Sequence, residues 1–101
     1  MPRFDLYRNP NPRATHGLLL DVQSDLVRTS TRWCITLLQP DDHAPLLTGA
    51  QHLVSAGGQP WVFDTPNILA VPAALLRSPL QKLGAEDRMK VDSALDFMLR
   101  G

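Results

Sequence analysis

One cysteine, Cys34, in 101 residues has no partner for an internal disulfide, so nothing points to an oxidising compartment. Charge of one sign is also missing: ten Lys and Arg balance ten Asp and Glu. A net charge of zero lacks the basic excess that phosphate neutralisation requires, which speaks against a direct nucleic-acid partner, and it provides no strong steering field. No apolar run approaches the roughly 18 residues of a membrane-spanning helix. The opening stretch "MPRFDLYRNPNPR" has no apolar core of a secretory signal. The expected location is therefore the cytoplasm, with no membrane contact. No glycine-rich phosphate loop is present, since Gly57-Gly58 is followed by neither a helix nor a lysine. His16, His43 and His52 lie in separate segments without metal-ligand spacing. Asp41, Asp42 and His43 form either a polar turn or an acid–base or metal cluster, and the turn requires no further chemistry. No cofactor and no metal are expected.

Nine prolines and six glycines punctuate short apolar runs. That is the pattern of a mostly-β domain, and 101 residues make a single domain, 1–101. Domains of this size are often marginal alone, so dimerisation would help, and a neutral chain is compatible with association. Arg3 to Tyr7 alternates, with Phe4 and Leu6 on one face. Asn9 to Arg13 ("NPNPR") forces a loop, because each proline lacks a donor and biases its predecessor to extended geometry. Gly17 to Gln23 reads as a second strand with Leu18, Leu20 and Val22 on one face. Arg32 to Leu38 ("RWCITLL") is the strongest strand, apolar on both faces and so buried on both sides. His52 to Asp64 forms a hairpin around Gly57-Gly58, and Thr65 to Asn67 turns again. Ile68 to Leu76 is an extended run in which Pro72 demands an edge or a bulge. The competing helix would carry Pro72 in its middle, at a cost of about 3 kcal/mol. From Gly84 the period becomes helical: Glu86 and Asp87 suit a first turn, and Val91, Ala94, Leu95 and Met98 form one stripe.

Two stretches stand apart. In "LDVQSDLV" (Leu20 to Val27) polar residues leave the strand, and then Leu26 and Val27 follow as either a second strand or a short core plug. In "SALDFMLRG" (Ser93 to Gly101) Phe97 and Leu99 lie off the core stripe, so the helix tip is apolar around more of its circumference than packing requires. Cys34, in an apolar strand, reads as an inert buried thiol. Trp33 and Trp61 read as core or interface packing.

At these residues the sequence resembles the CcdB toxins of toxin–antitoxin modules. The likeness rests on "DVQSD" (Asp21 to Asp25), Tyr7 in the first strand, Trp61 in "PWVFD", the "AVP" of Ala70 to Pro72 and the terminal helix, in order along the whole chain. The resemblance implies an α+β fold: an SH3-like β-barrel with a small accessory sheet, a C-terminal α-helix and a homodimer. It implies a toxin that is not an enzyme, one that traps DNA gyrase on cleaved DNA through the gyrase A subunit. A CcdA-like antitoxin with a disordered segment is the other partner. Carried over position by position, the gyrase contacts are Leu26, Val27, Asp96, Leu99, Arg100 and Gly101. The antitoxin contacts correspond to Arg8 and Arg13 and to the region of Asp41 and Asp42, with solvated loop arginines as the alternative for the first two.

The family pattern ends in Trp-Gly-Ile, its tryptophan stacking on a gyrase arginine. Here Arg100 stands at the tryptophan position and Gly101 is last. An arginine facing an arginine, without an aromatic anchor, implies weakened poisoning. Two other readings remain: a non-toxic homologue that binds only its antitoxin, and an endoribonuclease like Kid and MazF, which share the fold. The balanced charge argues against the latter.

Overall fold

The computed structural model describes residues 2–11, 17–41 and 45–100. Within them the chain forms β1 (Asp5–Arg8), β2 (Leu18–Asp21), β3 (Thr31–Leu38), β4 (Gln51–Ala56), β5 (Gln59–Pro72), a 3-10 turn (Ala73–Leu75), β6 (Gln81–Lys82) and α1 (Ala85–Arg100). All pairings are antiparallel, in the order β4-β5-β3-β2-β1-β6. The result is mostly β: one six-stranded sheet curled into a half-barrel, with a single C-terminal helix. Among the described residues there is no separate accessory sheet. The expected split into barrel and accessory sheet gives way to one continuous ladder, because β5 pairs with β4 over Gln59–Asp64 and with β3 from Val62 onward, so that Val62, Phe63 and Asp64 join the two.

The hairpin forms where expected. Gly57 and Gly58 have φ of 61° and 75°, the two positive values that a type I′ turn requires. Thr65 to Asn67 departs from expectation. β5 runs through it, and the register with β3 jumps from Thr36↔Asp64 to Ile35↔Ile68. Three residues thus bulge out between adjacent pairs. Asp64 pins the bulge, its carboxylate accepting from Gln51 Nε2 at 3.0 Å and from Asn67 Nδ2. Pro72 ends β5 opposite Thr31, and the next residue, Ala73, donates its N–H to the Ser30 carbonyl at 2.9 Å. The run beyond it curls into the 3-10 turn instead of staying extended.

β1 begins two residues later than the alternation suggests. Phe4 has φ of 73°, a left-handed conformation rare for an aromatic, so it turns into the strand. The guanidinium groups of Arg3 and Arg88 both lie over its ring, at 4.4 and 5.4 Å from the centroid. β6, only two residues long, carried no periodic signal at all.

The sheet buries both faces. Leu6, Leu20, Ile35, Leu37 and Phe63 pack with Val91 and Ala94 of α1 on one side. Tyr7, Leu19, Cys34, Val71 and Leu76 form a smaller cluster on the other. β3 is buried on both sides from Cys34 to Leu37, as its composition indicates, but Trp33 is 57% exposed. α1 lies over β4 and β5. Its first turn is tied down by Asp87, which accepts the Ser55 N–H at 2.9 Å. Of the predicted helical stripe, Val91 and Ala94 are buried and Leu95 partly so, whereas Met98 is half-exposed.

Candidate functional site

The stretch after β2 is neither a strand nor a core plug. Asp25 and Leu26 form an exposed turn in which Leu26 is 93% and Val27 49% exposed. Beneath it lies a polar lattice. Arg32, at the start of β3, grips the buried Asp21 with two bonds, Nε at 2.7 Å and Nη2 at 2.9 Å. The same Nη2 donates to the Gln23 carbonyl and to Asp25, both at 3.1 Å. The Gln23 amide accepts the Trp33 N–H at 2.9 Å and donates to the Val27 carbonyl at 2.9 Å and Thr29 Oγ1 at 3.3 Å. The Asp25 carboxyl is held below the usual carboxylate range, first by the Arg3 backbone N–H and then by Arg32. The hydrogen bonds that Arg32 donates to Asp21 push its pKa up, against the cost of its burial.

The helix tip lies beside this turn. Leu99 is 81% exposed. Asp96 and Arg100 pair with each other across one helical turn at 2.8 Å. Phe97 is half-exposed but is seated within the chain, against Gly49, where a Cβ would stand 2.9 Å from its ring. Val27, Trp33, Leu95 and Leu99 line one cleft of about 600 Å³, closed by the polar groups of Gln23, Thr29 and Arg3. The structure therefore brings together two stretches some seventy residues apart (Val27 and Leu99) that the sequence singled out separately. It adds Trp33 and Leu95, which sequence reasoning assigned to packing. Trp33 alternates in phase with the core residues Ile35 and Leu37, and only its place at the open end of the sheet exposes it.

Of the remaining predicted contacts, Arg8 is exposed and borders a groove of about 450 Å³ with Pro10, Leu75 and Arg77. Asp41 is exposed. Arg13, Asp42 and Gly101 lie outside the described residues. Among the described residues no cluster of His, Cys, Asp and Glu is arranged to hold a metal ion, and no helix is long and apolar enough to cross a membrane. The Cys34 thiol is fully buried and pushed up to about 12 by that burial, with the Asp21 charge adding to it. It is therefore a packing group and not a nucleophile.

The chain matches the CcdB protein family over residues 3–101. It belongs to the CcdB family. Membership indicates the toxin component of a toxin–antitoxin pair. No curated protein matches the chain. In this CcdB-family protein the "DVQSD" stretch that carried the resemblance is the segment that builds the polar lattice: Asp21, Gln23 and Asp25 are three of its members.

Proposed function

We propose that the protein acts by binding and not by catalysis, as a homodimeric cytoplasmic toxin that engages the DNA gyrase A subunit and stabilises the cleaved gyrase–DNA complex. Leu26, Val27, Asp96, Leu99 and Arg100 form its contact surface. The observation that carries this reading is the meeting of an exposed apolar turn and an exposed apolar helix tip on one cleft. Neither Leu26 nor Leu99 contributes to the core, so their exposure is unexplained by folding. On a two-fold dimer such a surface would be presented twice to a symmetric target.

Arg100 at the family's tryptophan position weakens this engagement. Its guanidinium carries a like charge toward the arginine that the tryptophan would stack upon, and it is already paired with Asp96, a second proposed contact. The groove beside Arg8 suits the antitoxin. Arg8 and Arg77 flank the apolar Leu75 and Pro10, a pattern that fits an extended acidic and apolar segment of a disordered CcdA-like partner.

A cleavage assay with the cognate gyrase tests the reading. Trapped complex is expected only at high protein concentration. Robust trapping at nanomolar protein would refute the weakening, and no trapping together with no growth arrest on induced expression would favour a homologue that binds only its antitoxin.

A further inference from the structure

The turn that presents Leu26 and Val27 has almost nothing apolar beneath it. From Ser24 to Ser30 every residue is exposed, and a segment with so little burial ordinarily opens at small cost. Its shape is set by side-chain hydrogen bonds from outside the turn. The Gln23 amide uses both of its ends, joining the first residues of β3 to the far side of the turn through Trp33 N–H and Val27 C=O. Arg32 holds the near side through the Gln23 carbonyl and Asp25. Within the turn, the Val27 N–H donates to the Ser24 carbonyl at 3.1 Å and the Leu26 N–H to Ser24 Oγ at 3.2 Å. A buried Asp–Arg pair is a poor means of gaining stability, since apolar residues of the same volume commonly do as well. Such a pair does fix geometry.

We propose that Gln23 and Arg32 are positioning residues: they hold the Leu26–Val27 turn in its binding shape before any partner arrives. The proposal rests on the reading of Leu26 and Val27 as target contacts. Preorganisation of this kind strengthens binding by removing the cost of ordering the turn on contact. Gln23 and Arg32 act only through the turn and need not touch the partner themselves.

The test uses the full chain and two variants. Gln23→Met keeps length and volume but removes the amide's bonds, and Asp25→Asn, at a half-exposed side chain, weakens the Arg32 link without emptying a buried site. Amide hydrogen exchange is read at Leu26 and Val27 and, as the global reference, at Ile35 and Val91. Affinity is read by calorimetric titration with a purified gyrase A fragment. In the wild type the Leu26 and Val27 amides are expected to be protected despite their exposed setting. Gln23→Met should accelerate exchange there at least tenfold, well beyond any change at Ile35 and Val91, and weaken binding about tenfold. Asp25→Asn should do the same to a smaller degree.

A uniform change at turn and core amides would mean a general structural role and would overturn the proposal. So would a loosened turn that binds as tightly as before. If Gln23→Met does not fold, Asp25→Asn decides by the same criteria. If the wild type binds no gyrase fragment, the contact reading fails, and the exchange comparison alone still decides whether these residues shape the turn.

Discussion

Replacing Arg100 by tryptophan is the most informative single change at the helix tip. In the fold it removes little. The Arg100 side chain is 81% exposed and its partner Asp96 59% exposed, so their i,i+4 pair contributes only about 0.3–0.5 kcal/mol. Losing it should lower Tm by roughly 1–4 °C in a domain of this size. At the contact the balance runs the other way. An aromatic anchor in an interface commonly contributes about 2 kcal/mol or more. Removing a like charge facing another adds on the order of 1 kcal/mol. The Asp96 carboxylate, freed from Arg100, becomes available to a partner. The sum of roughly 2–4 kcal/mol corresponds to binding about 30- to 1,000-fold tighter. Calorimetric titration with a gyrase A fragment measures it directly, and the dose needed to trap cleaved DNA gives a second reading. Salt supplies an internal control. Repulsion at Arg100 is screened as the Debye length shrinks, so wild-type affinity should gain more from added salt than Arg100→Trp. A fall in affinity in Arg100→Trp would refute the reasoning, because Arg100 would then itself be a fitted contact.

Other outcomes follow from the same geometry. Leu26→Ala and Leu99→Ala, at groups that bury almost nothing, should leave the denaturation midpoint within about 0.5 kcal/mol of wild type while each weakening gyrase binding at least fivefold in the same titration. Breaking the buried pair with Arg32→Ala should destabilise by about 3–5 kcal/mol, because the buried Asp21 loses its cationic partner and keeps the Gln23 N–H alone; urea denaturation measures it. Gly49→Ala combines a φ of +80° with a Cβ 2.9 Å from the Phe97 ring, and should cost about 1–3 kcal/mol in the same assay, with the last turns of α1 loosened. The buried thiol predicts a pH effect with a definite sign. The folded Cys34 is raised to about 12, so its contribution is intact below the unfolded thiol value near 8.5 and is lost as pH rises from there toward 12. Below pH 8 the native thiol should not react with Ellman's reagent, and it should react at once in denaturant.

What could be read from the sequence was whatever left a periodic or steric trace. Paired glycines specify the hairpin turn, because few other residues adopt both of its φ values. Two-sided apolarity marks β3, and the i, i+3, i+4 spacing marks α1. Family membership was legible from the "DVQSD" stretch together with the order of the other motifs. What stayed hidden depended on neighbours distant in the chain. Trp33 has the same periodic signature as Ile35, and what distinguishes them is that Trp33 lies past the last pair between β2 and β3. Thr65 to Asn67 has turn composition, yet the pairing with β3 resumes directly after it, so it becomes a bulge within one strand. The site's two halves were each visible as apolar residues without a core role, but nothing in the sequence says that Val27 and Leu99 face one cleft. Gln23 and Arg32 read only as the end of one strand and the start of the next, because a hydrogen bond across the fold leaves no trace in spacing.

The bulge at Thr65 to Asn67 also bears on how the chain can change its length. In β5, Phe63 points to the helix side of the sheet and so do Ile68 and Ala70, whereas Leu69 and Val71 point to the other side. Odd-numbered residues face the helix before the bulge and even-numbered ones after it. The bulge thus works like a frameshift in the alternation of inside and outside. An inserted or deleted residue there would turn Ile68 to Pro72 over, unless the bulge absorbed the change, and would drive Val71 out of its cluster. The Gly57-Gly58 turn can gain a residue without altering any face. Length variation among relatives of this protein should therefore collect at the hairpin tip and the loops between strands, and be absent from the middle of its longest strand.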